Sequence, residues 1–125
     1  MSKEATLTPS EEKLAAIIWR EAPMTSPELA ALALNELEWK KSTTYTVLKK
    51  LCEKGIFRND YANLSVVLTR DELISQQSRR YVEDSFGGSL PMFIASFFGG
   101  KKLTRKQADD LISLIEDYKG VEDDE

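Results

Sequence analysis

Residues 39 to 55 constrain the fold more than any other segment of this chain, because they form an amphipathic helix pattern that ends at a glycine. One face has the i, i+3, i+4, i+7 spacing of a buried stripe, formed by Thr44, Val47, Leu48 and Leu51. The opposite face carries hydroxyl and lysine side chains, and Gly55 is a typical residue to close a helix. The pattern therefore predicts a helix that packs on other elements and leaves a polar face to solvent.

The charge of the chain is unevenly distributed along its length. The formal net charge is −4, yet residues 40 to 58 contain six Lys or Arg and one acid, whereas residues 71 to 125 contain seven and twelve. A basic segment in an acidic chain indicates a binding surface. Small hydroxyls can approach DNA base edges and lysines neutralise phosphates. The residues expected to contact double-stranded DNA are Lys41, Ser42, Thr43, Tyr45, Thr46, Lys49, Lys50 and Arg58.

The composition argues against several classes of protein. With one cysteine and no histidine, we expect no intrachain disulfide, no Cys/His zinc site and no cofactor. No activated nucleophile or glycine-rich phosphate loop supports an enzyme. Cys52 is expected to be a small, half-buried hydrophobe rather than a redox sensor. No apolar run is long enough to cross a membrane, and no signal segment opens the chain, which favours a soluble, cytoplasmic protein.

The order of predicted elements indicates the fold. Capping boxes at residues 8–11 and 25–28 predict two short helices before the basic helix. After Gly55, residues 56–58 and 64–68 read as short strands joined by turn residues. Three helices and a hairpin are the order of a winged helix. The predicted fold is therefore mainly α: a winged helix-turn-helix DNA-binding domain over residues 1–70, followed by a C-terminal helical dimerisation domain over residues 71–125.

The C-terminal part is expected to be helical and too apolar to stand alone. Helices are predicted over residues 71–86, from Ser89 to about residue 98, and after a capping box at residues 104–107, with a frayed acidic end at residues 121–125. These helices could pack on the winged helix of the same chain, but a second copy is the better partner because the winged helix is already complete. The residues expected at a homodimer interface are Leu90, Phe93, Ile94, Phe97, Phe98, Leu111, Ile112 and Ile115.

These residues resemble a known family over about residues 7 to 119. The segments that carry the resemblance are residues 7–11 (LTPSE) through Ile18-Trp19, residues 39–55, residues 93–98 (FIASFF) and Leu103-Thr104. The chain resembles the penicillinase-repressor and methicillin-resistance-repressor family of dimeric winged-helix transcription repressors. That resemblance implies operator binding as a homodimer, and it implies DNA contacts at the positions of Ser42, Thr43, Thr46 and Lys50.

The chain also departs from the family pattern at three places. Family repressors are cut by a membrane sensor-protease at an Asn–Phe bond, and the matching bond here is Ser96–Phe97. A Gly-Arg pair is frequent in the family wing, and Asn63 and Leu64 stand there instead, so a weaker wing grip on phosphate is expected. The cysteine-rich tail of copper-responsive relatives has no match in residues 121–125. The alternative function is a winged-helix protein–protein interaction adaptor without specific DNA binding.

Overall fold

The computed structural model describes residues 6–120 and divides into two compact units, the first ending at Tyr81 and the second beginning at Val82. The elements, in chain order, are α1 (Pro9–Glu21), β1 (Met24–Thr25), α2 (Ser26–Leu37), α3 (Lys41–Glu53), β2 (Phe57–Asp60), β3 (Asn63–Val66), α4 (Arg70–Phe86), α5 (Leu90–Phe98) and α6 (Arg105–Tyr118). This order confirms the mainly helical, winged-helix prediction. The domain boundary after residue 70 stays a prediction, and the first compact unit extends eleven residues further, to Tyr81 within α4.

Reciprocal caps begin most of the helices, as the sequence predicted. Thr8 and Glu11 close a capping box at α1, Thr25 and Glu28 do so at α2, and Thr104 and Gln107 do so at α6. A further box, missed in the sequence, begins α4. There the Thr69 N–H donates to Glu72 Oε1 at 2.9 Å, and the Glu72 N–H donates to Thr69 Oγ1 at 3.1 Å. These bonds satisfy backbone donors that a helix start otherwise leaves without partners.

The hairpin belongs to a three-stranded antiparallel sheet of order β1-β3-β2. The predicted hairpin is confirmed, with Phe57 opposite Val66 and Asp60 opposite Asn63. The sequence did not predict β1, whose Met24 lies opposite Leu64. This short strand ties the segment before α2 to the first two residues of β3, next to the turn, so β3 is paired along both edges.

The core of the first unit lies between the three helices and the sheet. Its fully buried side chains include Leu14, Ile18, Leu29, Leu51, Ile56, Phe57 and Leu64. Trp19 covers one side of this core. Its ring centroid lies 5.5 Å from that of Phe57, and its indole Nε1–H donates to the Leu68 carbonyl at 3.0 Å. The indole therefore fixes the chain that leaves the wing and enters α4.

The helices of the second unit are more exposed to solvent than those of the first. None of the residues of α5 or α6 is fully buried. Ser89 caps α5, and the Phe93 ring lies between Phe86 and Phe97, with centroid distances of 5.7 and 6.4 Å. Gly99 ends α5 in the left-handed conformation at φ 60°. The predicted frayed end at residues 121–125 lies outside the described residues. Within residues 6–120, no helix is both long and apolar enough to cross a membrane.

Candidate nucleic-acid interface

Helices α2 and α3 are joined by the three residues Glu38, Trp39 and Lys40, which is the connection length of a helix-turn-helix. Glu38 adopts the left-handed conformation at φ 60°, and the Trp39 side chain packs against the core. The inner face of α3 buries Thr44, Leu48 and Leu51. These contacts fix both the position of α3 and its rotation about its own axis, so the identity of its outward side chains follows from packing.

The outward face of α3 carries six of the eight side chains predicted to contact DNA. Lys41, Ser42, Thr43, Thr46, Lys49 and Lys50 are all exposed. Tyr45 is different, because it is half-buried and packs against the core, while the Lys41 Nζ lies 5.8 Å from its ring centroid. The eighth residue, Arg58, is exposed on β2 rather than on the helix. The structure thus gathers hydroxyls and lysines on one helix face and sets Tyr45 at its edge.

Fewer cations of the basic segment are available to a ligand than the sequence suggests, because Lys54 has a structural role. Its Nζ lies 2.5 Å from Glu11 Oε1 and donates to the Thr6 carbonyl at 2.6 Å. Arg20, outside the segment, is likewise engaged, with bonds to Glu36 and Glu21. Within residues 6–120 no ion pair engages the remaining cations of the segment, which are Lys40, Lys41, Lys49, Lys50 and Arg58.

Burial at Glu11 works against ionisation, but the surrounding hydrogen bonds outweigh it. The Lys54 ammonium and the Thr8 backbone and hydroxyl groups hold the pKa of the Glu11 carboxyl below its ordinary value. Glu11 is therefore a carboxylate at neutral pH, and it keeps Lys54 directed towards α1. The sequence alone does not separate Lys54 from the basic segment, because its partner Glu11 lies 43 residues away.

The wing buries one of the two residues from which its weaker grip on phosphate is expected. Leu64 is 1 % exposed and faces the core opposite Met24. It therefore contributes to packing and not to an outer surface. The outer end of the wing consists of Tyr61 and Ala62, and the Tyr61 side chain is 95 % exposed. The sequence does not reveal the exposure of Tyr61, because the register that leaves only two loop residues cannot be read from residues 59–63.

Cys52 lies on α3 away from its outward face, half-buried against the core. Burial raises the pKa of its thiol, and the neighbouring Glu53 carboxylate raises it further. A raised pKa keeps the thiol protonated and weakly nucleophilic, which agrees with the packing role expected from the sequence. Within residues 6–120, no three His, Cys, Asp or Glu side chains come together as a metal site.

The residues predicted to form the dimer interface lie in the second unit and are partly or largely exposed. Leu90, Phe97, Ile112 and Ile115 are 58, 77, 57 and 55 % exposed, whereas Phe93, Ile94, Phe98 and Leu111 are half-buried. Ser96, the first residue of the predicted cleavage bond, is exposed in the last turn of α5.

The helix-turn-helix, the wing and the exposed lysines of α3 define a winged-helix transcription regulator. The family model described as penicillinase repressor matches residues 7–117. The chain therefore belongs to the penicillinase repressor family, whose members are transcriptional repressors that bind DNA. None of the curated proteins matches the sequence.

Proposed function

We propose that the protein represses transcription as a homodimer that binds a palindromic operator, with α3 of each protomer in the major groove. The observation that carries this proposal is the outward face of α3, where unpaired lysines surround small hydroxyl side chains. An α-helix fits the major groove, and in helix-turn-helix proteins the second helix of the pair enters it. In this chain that helix is α3.

The two kinds of side chain on α3 have separate roles in this proposal. Lys41, Lys49 and Lys50 neutralise phosphates, and Arg58 does the same from the wing. Ser42, Thr43 and Thr46 are short enough for their hydroxyl and methyl groups to reach base edges. Phosphate contacts set affinity and orientation, whereas base contacts set sequence preference.

The homodimer is supported by the second unit, because its helices bury no residue completely within one chain. Aromatic and aliphatic side chains on α5 and α6 lose contact with water only if another surface covers them. A second copy supplies such a surface with two-fold symmetry, and two-fold symmetry requires two operator half-sites. In this proposal residues 1–70 bind DNA and residues 71–125 dimerise. A repressor that acts on DNA in this way works in the cytoplasm.

The test begins with selection of bound sequences from random DNA, followed by titration of the selected operator at several salt concentrations. If each protomer neutralises about four phosphates, the slope of log K against log salt is about −7. The double variant Lys49→Glu/Lys50→Glu should lose operator binding and remain a dimer. Lys13→Glu is the matched control, because Lys13 is an exposed lysine on α1. Unchanged binding by the double variant would favour the adaptor function instead.

A regulated cut at Ser96–Phe97 is a second part of the proposal. The exposure of Ser96 supports it, and a membrane sensor-protease would be the partner. The bond lies within the last turn of α5, so this turn has to unwind before a protease can bind an extended strand. Mass spectrometry of the repressor after incubation with membranes containing such a protease gives fragments ending at Ser96 if the proposal holds. An intact chain, or a cut elsewhere, would contradict it.

A further inference from the structure

The turn at the end of the wing has an unusual backbone for its sequence. Because Asp60 lies opposite Asn63, only Tyr61 and Ala62 form the loop. Both have positive φ, 52° for Tyr61 and 70° for Ala62. Two-residue loops of this kind favour Gly, which has no Cβ to clash, and Asn, whose short polar side chain can hydrogen-bond locally. The chain thus keeps a tyrosine at a position where glycine or asparagine is more stable.

The backbone of this turn is held by contacts that do not involve the tyrosine ring. The Asn59 side-chain oxygen accepts the Ala62 N–H at 3.0 Å, and the Ala62 carbonyl accepts the Ser26 N–H at 2.9 Å. The second bond joins the turn to the start of α2. The loop therefore has a fixed conformation, and its stability does not explain why a tyrosine occupies position 61.

The Tyr61 ring lies in solvent beyond the core. Its side chain is 95 % exposed, the largest exposed fraction of any large apolar side chain among the described residues. The four residues of β2 span about 13 Å, and Tyr61 follows at the end of the strand that is farther from α3. An exposed aromatic residue at the outer end of a rigid hairpin contributes little to folding, and its value lies in contact with a partner.

The charges beside Tyr61 indicate which contact it makes. Arg58 and Asp60 are both exposed on β2, and Asp60, which precedes Tyr61, offsets the charge of Arg58 near the turn. A phenol provides a neutral alternative, because tyrosine hydroxyls are among the groups that donate hydrogen bonds to DNA phosphates. In a winged helix the hairpin flanks the DNA backbone while the third helix occupies the groove.

We infer that Tyr61 is a second contact between the wing and DNA, beside Arg58: its hydroxyl donates a hydrogen bond to a backbone phosphate, and its ring packs on the adjacent deoxyribose. This inference rests on the proposed function, since it requires α3 to hold the operator. It adds a neutral contact to the cationic contact proposed for Arg58. Affinity gained in this way depends little on salt, because a neutral side chain displaces no condensed counterion.

The experiment compares Tyr61→Phe, Tyr61→Ala and Tyr61→Gly with wild type in operator titrations at several salt concentrations. Tyr61→Phe should weaken binding about tenfold, since two hydrogen bonds of modest net strength are lost, one per protomer. Tyr61→Ala should weaken it about tenfold more through loss of ring packing. The salt slope should stay at the wild-type value in all three variants.

Two further measurements keep the result interpretable. The melting temperature of Tyr61→Gly should be at least that of wild type, because glycine relieves the left-handed strain; weak binding by this variant is then not a folding defect. Lys49→Ala serves as the comparison, since it should lower both affinity and salt slope. Wild-type affinity in Tyr61→Phe and Tyr61→Ala, with weakened Lys49→Ala, overturns the role of Tyr61 and leaves the proposed function intact. Failure of the wild-type protein to bind any DNA overturns both.

Discussion

The Lys54 ammonium and the Glu11 carboxylate, 2.5 Å apart, connect the end of α3 to the first turn of α1. Glu11 is 3 % exposed, and the same Oε1 atom that contacts Lys54 accepts the Thr8 N–H at 2.9 Å. One carboxylate therefore completes the capping box of α1 and holds the residue that follows α3. The pair fixes the far end of the helix whose outward face is proposed to bind DNA.

Breaking this pair should destabilise the fold and change its acid sensitivity. Glu11→Gln leaves Lys54 without its anion, and a hydrogen bond to a charged group contributes about 1.5–3 kcal/mol. The folded-state pKa of Glu11 lies below its unfolded value. The stabilisation from this carboxylate is thus complete above the unfolded pKa, about 4.3, and is lost as the pH falls through the folded pKa.

Urea denaturation between pH 3 and pH 7 tests this expectation. Wild type should be more stable than Glu11→Gln at pH 7, and the difference should shrink as the pH falls below about 4. Lys13→Met, an exposed lysine substitution on the same helix, should stay within about 0.5 kcal/mol of wild type. A stability difference that is independent of pH would show that ionisation of Glu11 does not stabilise the fold.

Most helices of the first unit could be predicted from the sequence, because the signals that indicate them are local. Helix caps at Thr8 and Thr25 and the stripe ending at Leu51 depend on neighbours within one turn or one helix. The contacts that were missed join distant parts of the chain. Lys54 meets Glu11 across 43 residues, and β1 is two residues long, so it shows no periodicity before it pairs with β3.

In the candidate site, too, features set by local patterns could be predicted and features set by distant contacts could not. Packing of Leu48 and Leu51 determines which residues of α3 face outward, and the amphipathic pattern predicted that face. The wing could not be predicted in this way, because its exposed residues depend on register. One register buries Leu64 and brings Tyr61 to the outer end of the hairpin, and the turn residues alone do not select it.

Replacing Thr44 by valine should stabilise the fold. Its side chain is completely buried on the inner face of α3, and Oγ1 has no hydrogen-bond partner among the described residues. A buried hydroxyl without a partner costs about 1–3 kcal/mol. Thr44→Val removes the hydroxyl and keeps the branched shape, so the free energy of unfolding should rise by about 1 kcal/mol.

Chemical denaturation of Thr44→Val beside Thr46→Val makes the comparison direct. Both lie on α3, but Thr46 is exposed and its substitution should leave stability within about 0.5 kcal/mol of wild type. A less stable Thr44→Val protein would mean that the hydroxyl has a partner in solution, such as a buried water.

Lysine and threonine substitutions on α3 should separate affinity from sequence preference. Lys49→Ala should weaken binding to all sequences alike and reduce the magnitude of the salt slope by about 2, one contact per protomer. Thr46→Ala should leave the slope unchanged and reduce discrimination at one base pair of each half-site by about 1–3 kcal/mol. Titration of the operator at several salt concentrations measures the slope, and titration of single-base operator variants measures the discrimination. A uniform loss of affinity in Thr46→Ala would place Thr46 against the backbone rather than a base.

Phe97→Asp should dissociate the proposed dimer. Phe97 is 77 % exposed within one chain, and at a dimer interface an aspartate there would be buried without a partner, at a cost of several kcal/mol. Sedimentation should show a monomer, and operator affinity should fall because each half-site is then bound alone. Phe97→Leu, which keeps an apolar side chain, should remain a dimer and bind the operator. Because α5 and α6 bury no residue completely within one chain, the Phe97→Asp monomer should keep the helical circular dichroism of the first unit and lose part of that of α5 and α6. A dimer that persists in Phe97→Asp would remove Phe97 from the interface.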